Sequence, residues 1–173
     1  MESTPTKETI VTYLEMHAPP QRDRQRSVPS DTLVMQAVQP TVSFYRYLYN
    51  TVGEAWDWHE RRRMSDDELC AIVQHPGVAV FVAYVGGVPA GYAELDARQS
   101  PDIELAYFGL MPEFIGKGLG GFLLDWAIDQ AWSFQPQRLW VHTCTLDHPN
   151  ALAVYQRAGF VPYKQEREQV QLT

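Results

Sequence analysis

The sequence predicts one domain of mixed α/β class, and three observations indicate this. Apolar residues recur at helical spacing between Thr41 and Gly53, which is typical of an amphipathic helix. Residues 78–96 form two runs of strand-forming residues around a Gly-Gly pair, the pattern of an antiparallel hairpin. From Arg138 a strand, a helix and a final strand segment follow, which indicates a crossover connection. The length of 173 residues fits a single domain over residues 1–173.

The N-terminal region, residues 1–30, is predicted to be irregular. Its one strand signal is Ile10–Leu14, which is rich in β-branched and aromatic residues. Pro19–Ser30 carries three prolines and three arginines and almost no apolar residue. We interpret this segment as a solvated loop or a strap across the surface rather than as a basic binding patch.

The remaining elements have clear local signals. A capping box of Ser65 and Glu68 predicts that a helix begins there and runs to about His75, and Gly159 is a typical helix end. Two further helices are expected, one after the glycine-rich loop near residue 119 and one at Pro149–Ala158. The expected strands after residue 30 are Asp31–Gln39, Val78–Val85, Val88–Asp96, Ile103–Met111, Arg138–Thr145 and one or two within Phe160–Gln171.

Composition excludes several classes of function. Fourteen basic against twenty-one acidic residues give a net charge of -7, which argues against nucleic acid as a partner. The longest apolar run, Val78–Val85, is far shorter than the roughly 18 residues of a membrane span, so no membrane association is expected. Cys70 and Cys144 are too few for a disulfide framework. We therefore expect a cytoplasmic protein with free thiols.

The segment 113–121 is a glycine loop that leads into a helix. Gly116, Gly118 and Gly121 match GxGxxG, but the loop follows a hairpin and no acidic residue stands about 20 positions later, as a dinucleotide fold requires. Lys117 precedes Gly118, so a Walker A loop does not match either. Backbone N–H groups and the start of a helix nevertheless converge here. The loop therefore predicts an anion cradle suited to a pyrophosphate.

Two stretches carry a resemblance to the GNAT superfamily of acetyl-CoA-dependent N-acetyltransferases. Leu110–Gly120 (LMPEFIGKGLG) resembles the Gln/Arg-x-x-Gly-x-Gly/Ala coenzyme loop of that family. Ala151–Phe160 (ALAVYQRAGF) resembles its Ala-x-x-x-Tyr-x-x-x-Gly-Phe helix. The two occur in the expected order with a strand between them, and the resemblance covers about Val78 to Tyr163.

The resemblance implies a fold and an activity. The fold is a mixed, mostly antiparallel twisted sheet of about six to seven strands with about four flanking helices and a splayed coenzyme cleft. The activity is transfer of an acetyl group from acetyl-CoA to a primary amine of a small molecule, by direct attack in a ternary complex and without a metal. Alternatives are acetylation of a protein N-terminus or lysine, and a non-catalytic acyl-CoA-binding module. The final strands could also pair across a homodimer.

The coenzyme residues are assigned by the same resemblance. The backbone of Leu110 and Met111 is expected to pair with the pantetheine arm. Two positions depart from the family: Ile115 stands where Gln or Arg is usual, and His148 stands where Asn is frequent, with Asn150 as a shifted substitute. The full predicted set is Leu110, Met111, Ile115, Gly116, Lys117, Gly118, Gly120, Gly121, Asn150 and Tyr155.

Three residues are candidates for proton transfer. Glu104 is our first choice of base, because it lies in the strand before the loop at the position of a catalytic glutamate in some family members. His142 in the neighbouring strand is the second, since its ordinary pKa suits proton transfer. Tyr155 is the expected acid that protonates the leaving thiolate. Each has a structural alternative: a solvent-facing carboxylate, a packed histidine and a core aromatic.

The acceptor is expected to contact Trp56, Trp58 and Glu94, with Glu94 orienting the amine and the tryptophans binding it by cation–π contacts or else capping the core. The tract 142–148 also contains His142, Cys144, Asp147 and His148. A metal site or a nucleophilic Cys144 is conceivable there, but a buried strand cysteine is the simpler interpretation.

Overall fold

The computed structural model describes residues 5–24 and 26–171. Residues 1–4 of the predicted irregular N-terminal region, Gln25 of the strap, and residues 172–173 lie outside the described residues. The strands are β1 Thr6–Met16, β2 Thr32–Ala37, β3 Val78–Val85, β4 Val88–Asp96, β5 Asp102–Leu110, β6 Arg138–Cys144 and β7 Val161–Gln171. The helices are α1 Val42–Gly53, α2 Asp66–Val73, α3 Leu119–Ser133 and α4 Ala151–Ala158, with single 3-10 turns at Glu54–Trp56 and Pro112–Phe114.

The strands form one sheet in the order β2-β3-β4-β5-β6-β1-β7. Every neighbouring pair is antiparallel except β5 and β6, which are parallel. The mixed α/β class and the mostly antiparallel sheet of seven strands are confirmed. β7 is an edge strand, so its pairing with a second copy stays a prediction.

The N-terminal strand is longer than the sequence signal indicated. β1 covers Thr6–Met16 rather than Ile10–Leu14, because β6 pairs with it on one side and β7 on the other. The final segment forms the single strand β7, which pairs with β1 over nearly its whole length. Cross-strand pairing thus extends both strands beyond their local propensity.

Each face of the sheet packs against two helices. Helices α3 and α4 cover one face, where they bury Phe81, Leu95 and Leu105 together with the β1 residue Leu14. Helices α1 and α2 cover the other face over the β2–β5 half of the sheet. Successive strand residues alternate between the two cores, since side chains along a strand point to opposite faces. On this second face, β6, β1 and β7 lie beyond the area that α1 and α2 cover.

The arginine-rich segment is a strap that is attached to α3. Arg22 Nη1 lies 2.6 Å from Asp129 Oδ1, and Arg26 Nε lies 2.9 Å from Asp125 Oδ2. Arg22 and Arg26 are four residues apart, as are Asp125 and Asp129, so the pairs follow one stripe of the helix. These two ion pairs hold the described part of residues 19–30 against α3.

Candidate active site

A gap opens between the two parallel strands at the centre of the sheet. β5 and β6 pair only through Asp102–Arg138, Ile103–Leu139 and Glu104–Trp140. Beyond Glu104 the strands separate. On the other edge of β5 the register with β4 shifts, so that Glu94 faces Tyr107 while Leu95 faces Leu105 and Ala106 is the bulged residue. The splayed cleft begins at this bulge.

Backbone groups of β5 point into the gap. The Met111 N–H donates to the Ala90 carbonyl oxygen at 2.8 Å, which makes Met111–Ala90 a hydrogen-bonded antiparallel pair. Hydrogen-bonded and non-bonded pairs alternate along an antiparallel ladder, so the backbone groups of Leu110 and Phe108 point away from β4. The prediction for Met111 is wrong in this respect, because its amide is already used within the sheet. The backbone groups that are free of β4 are therefore those of Phe108 and Leu110, not those of Met111.

The glycine loop closes one end of the gap. Gly116 and Gly118 have φ of 81° and 79°, values that disfavour any residue with a β-carbon, and a β-carbon on either would meet no atom within 4 Å. Gly118 is the N-cap of α3, so the free amides of its first turn lie next to the loop. Lys117 turns aside, with its Nζ 5.7 Å from the centre of the Phe114 ring.

The gap, the loop and α4 enclose a cavity of about 760 Å³, which is in the range of small-molecule sites. It brings together most of the predicted site residues, although the sequence separates them widely. Those that line it are Trp56, Trp58, Leu110, Ile115, Gly116, Gly118, Gly120, Gly121, His142, Asn150 and Tyr155. Those that do not are Glu94, Glu104, Met111 and Lys117.

His142 and Glu104 form a pair at the edge of the cavity. His142 Nδ1 lies 3.3 Å from Glu104 Oε1, and the hydrogen bond to Glu104 is the main cause of a pKa of His142 above its ordinary value. Only His142 lines the cavity, and its side chain is 41% exposed against 21% for Glu104. Of the two candidates, only His142 is therefore placed to meet a molecule in the cavity, and the Glu104 carboxylate lies behind its imidazole ring.

Tyr155 lies on α4 and lines the cavity from the face of the sheet that α3 and α4 cover. Its side chain is buried, and burial raises the pKa of its hydroxyl above the ordinary value, which keeps it protonated. The ring packs edge-on against Phe108 and Phe160. Among the described residues no group forms a hydrogen bond with the Tyr155 hydroxyl, which leaves its proton available to a bound molecule.

Glu94 does not face the cavity, and the prediction that it orients an amine is wrong for this geometry. Its side chain is fully buried, and Oε2 lies 2.9 Å from Arg61 Nη2. The Tyr45 hydroxyl donates to Glu94 Oε1 at 2.6 Å. Arg61 also stacks on the Tyr107 ring at 4.8 Å. Glu94 therefore holds Arg61, and with it the loop after α1, against the sheet.

The two tryptophans have different surroundings. Trp58 packs against Tyr49 and Tyr107 at centroid distances of 5.4 and 5.1 Å. It therefore lines the cavity and also packs against the core beneath α1 and α2. Trp56 lies 5.1 Å from the His148 ring, across the mouth of the cavity. The loop after α1 thereby meets the loop after β6.

Sequence reasoning missed part of one wall of the cavity. Tyr13 of β1 and Glu168 of β7 line it, as does Glu60 from the loop after α1. Local patterns carried no signal for Tyr13 and Glu168, because these residues reach the cavity only through the pairing of the N-terminal strand with β6 and β7. Glu60 Oε2 accepts a hydrogen bond of 3.0 Å from the Tyr107 hydroxyl.

Local hydrogen bonds hold the tract 142–148 in place. Asp147 Oδ2 accepts hydrogen bonds from the Thr143 hydroxyl at 2.6 Å and from the Cys144 amide at 2.9 Å. Burial raises the pKa of the Cys144 thiol, which disfavours the thiolate. Within residues 5–24 and 26–171, no three His, Cys, Asp or Glu side chains come together in a way that would hold a metal.

Solved structures share this fold at low sequence identity. A functionally unknown conserved protein from Staphylococcus epidermidis superposes with a TM-score of 0.67 at 16% identity, covering 95% of this chain and 62% of its own. A tandem GNAT protein from the clavulanic acid biosynthesis pathway has a TM-score of 0.63 at 17% identity over 94% of this chain. The present chain spans only 53% of the length of that tandem protein.

An aminoglycoside acetyltransferase from an uncultured soil metagenomic sample, in complex with sisomicin, has a TM-score of 0.60 at 11% identity. That match covers 75% of this chain and 88% of the other. A comparison with curated proteins finds no significant match. No helix among the described residues is long and apolar enough to cross a membrane.

Residues 42–160 match the family model described as the acetyltransferase (GNAT) family. The match begins at α1 and ends after α4, so it contains the gap between β5 and β6, the glycine loop and Tyr155. β1, β2 and β7 lie outside it. The chain belongs to the GNAT acetyltransferase family.

Proposed function

We propose that this protein transfers the acetyl group of acetyl-CoA to a primary amine of a small-molecule acceptor, by direct attack in a ternary complex. One observation supports this above the others. A single cavity is lined by a backbone anion cradle at Gly116–Gly121, a histidine held by a carboxylate, and a protonated tyrosine without a partner among the described residues. These are the groups that acyl transfer to an amine requires.

The residues present fit acetyl-CoA as the cosubstrate. The open space above Gly116 and Gly118, and the amides at the start of α3, suit the pyrophosphate. The backbone groups of Phe108 and Leu110 that point away from β4 suit the amide groups of the pantetheine arm, which would add to β5 as an extra strand. Arg157 of α4 also lines the cavity and contributes a positive charge. Acetyl-CoA supplies the activated acetyl group.

His142 is the proposed base. With Nδ1–H donating to Glu104, Nε2 carries the lone pair and takes a proton from the acceptor ammonium. The freed amine nitrogen attacks the thioester carbonyl carbon and forms the new C–N bond. Glu104 keeps the imidazole in one tautomer and stabilises its charged form, and so acts as a positioning residue.

Tyr155 is the proposed acid. As the C–S bond breaks, the thiolate accepts the phenolic proton, and the second proton of the acceptor nitrogen leaves to the solvent network and restores the phenol. The products are the N-acetyl compound, the coenzyme thiol and one proton, so the step balances. The raised pKa of Tyr155 ensures that the phenol carries its proton at neutral pH.

The charge of the cavity favours a cationic acceptor. Asp57, Glu60 and Glu168 line it, and none of the three forms an ion pair with another described residue. The ring of Tyr13 lies on the same sheet face as His142, at a centroid distance of 5.7 Å. A carboxylate wall beside aromatic rings binds ammonium groups by charge and cation–π attraction. The acceptor side is therefore acidic.

The test is a panel of amines with acetyl-CoA, read by release of the free thiol and by the mass of the acetylated product. Small diamines and other polyamines are expected to react faster than neutral amines of equal size. Faster acetylation of peptide N-termini or lysine side chains would replace the small-molecule acceptor. Tight binding of acetyl-CoA without transfer to any amine would contradict the enzymatic proposal and leave a binding module.

A further inference from the structure

The strap places an arginine next to the glycine loop. A β-carbon built on Gly121 would lie 2.5 Å from Nη1 and 2.6 Å from Cζ of Arg26. The guanidinium of Arg26 therefore occupies the space that a side chain at this position would fill. Gly121 lines the cavity and is the third residue of α3. Only a glycine permits this approach.

Arg26 contacts Gly121 on the side of α3 that faces its N-terminus. Cα–Cβ bonds in a helix tilt toward its N-terminus, so a group on the β-carbon side of Gly121 lies on the side of the free amides. The Arg26 Nε atom donates to Asp125 at 2.9 Å, while neither Nη group forms a hydrogen bond with another described residue. A guanidinium has five N–H donors, and most of those of Arg26 are unused.

The cradle also lacks a side chain that this family usually has. Ile115 stands at the position of the loop that Gln or Arg usually occupies. It is 44% exposed, and its side chain has no polar group that could bind a phosphate. Asp125 places a negative charge almost two turns into α3, where it opposes a phosphate at the start of the helix. A cation between Asp125 and the loop removes that repulsion.

We infer that Arg26, delivered by the N-terminal strap, is a phosphate-binding residue of the coenzyme cradle and compensates for the apolar residue at position 115. The inference rests on the proposed function and deepens its coenzyme side. Arg22 serves as the anchor, because its ion pair with Asp129 holds the strap on α3 almost three turns from the start of the helix. The chemical class recognised is the diphosphate of coenzyme A.

The experiment compares Arg26→Gln with Arg24→Gln by calorimetric titration of coenzyme A. Arg24 is an exposed strap residue without an ion pair to the described residues, so Arg24→Gln removes the same charge from the same segment. Arg26→Gln is expected to raise the Kd of coenzyme A about tenfold and to weaken its salt dependence, since charged hydrogen bonds are lost. Arg24→Gln is expected to change the Kd less than about twofold.

Acetyl-pantetheine, which has no diphosphate, separates phosphate binding from other effects. Its KM as acetyl donor should be the same in the wild type and in Arg26→Gln. Arg22→Gln loosens the strap but keeps Arg26, so it should raise the Kd by no more than Arg26→Gln does. An equal Kd for coenzyme A in the wild type and Arg26→Gln, or equal losses in Arg24→Gln and Arg26→Gln, would overturn the inference. Failure of the wild type itself to bind coenzyme A would instead overturn the proposed function.

Discussion

His142 and Glu104 meet at the last point where the two parallel central strands pair. Glu104 is opposite Trp140, the final β5–β6 partner, and its carboxylate lies 3.3 Å from the Nδ1 atom of His142, two residues further along β6. Beyond this pair the strands separate to form the cavity. The fold therefore holds an oriented imidazole at the point where the cleft opens.

The pH dependence of activity tests this pair. The hydrogen bond to Glu104 raises the pKa of His142, so the imidazolium persists to higher pH and the neutral base forms only above that pKa. We expect kcat/KM to rise with pH through this value. Glu104→Gln removes the main cause of the shift, so the rise should occur at lower pH with the same amine. His142→Gln should lower kcat about 100-fold or more. A pH profile of Glu104→Gln that superposes on the wild type would remove Glu104 from this role.

Tyr155→Phe separates chemistry from binding. The substitution removes only the hydroxyl and keeps the ring that packs on Phe108 and Phe160. We expect kcat to fall about 100-fold, with little change in the Kd of acetyl-CoA and in thermal stability. Steady-state rates with a good acceptor give kcat, and a binding titration gives the Kd of acetyl-CoA. An unchanged kcat would exclude Tyr155 as the acid.

We expect glycine at 118 to matter for coenzyme binding as well as for folding. Gly118→Ala forces a β-carbon into φ of 79°, which costs roughly 1–2 kcal/mol of stability and reorients the amides at the start of α3. Gly87→Ala in the β3–β4 turn, at φ of 81°, is the matched control. Both should lower Tm by a few degrees. Only Gly118→Ala should raise the Kd of coenzyme A; a similar rise in both variants would mean that the effect is one of stability.

Glu60 is expected to contribute to acceptor binding. Glu60→Gln removes a negative charge from the cavity wall but keeps an acceptor for the Tyr107 hydroxyl. The KM of a diamine should rise about two- to fivefold, because an exposed charge pair contributes little more. The Kd of acetyl-CoA should not change. Glu54→Gln, on the same connection but outside this cavity, controls for net charge. Equal KM values for both variants would contradict an acidic acceptor wall.

The sequence predicts most of the fold because its signals are local. The capping box at Ser65, the Gly86-Gly87 turn and the Gly159 cap each fix a boundary within a few residues, and the structure shows all three. The position of β1 between β6 and β7 has no such signal. It depends on pairing between residues more than 120 positions apart, such as Val11 with Cys144.

The same distinction holds for the site. Gly118 and Tyr155 line the cavity as the sequence predicts, because their motifs depend on backbone geometry and helical position. Glu94 is misassigned, since only its burial against Arg61 reveals a structural role. Glu168 is missed because the β7 strand reaches the cavity only through its pairing with β1.

The most direct test is thermal unfolding of the protein with acetyl-CoA, with NADH and ATP as controls. At about 100 times the Kd, a ligand that binds only the folded state adds roughly 2.7 kcal/mol. In a domain of this size that raises Tm by roughly 5–10 °C. We predict this rise with acetyl-CoA and a much smaller change with NADH or ATP. No rise with acetyl-CoA, or a rise with a nucleotide alone, would contradict the assignment of the glycine loop and the mechanism that depends on it.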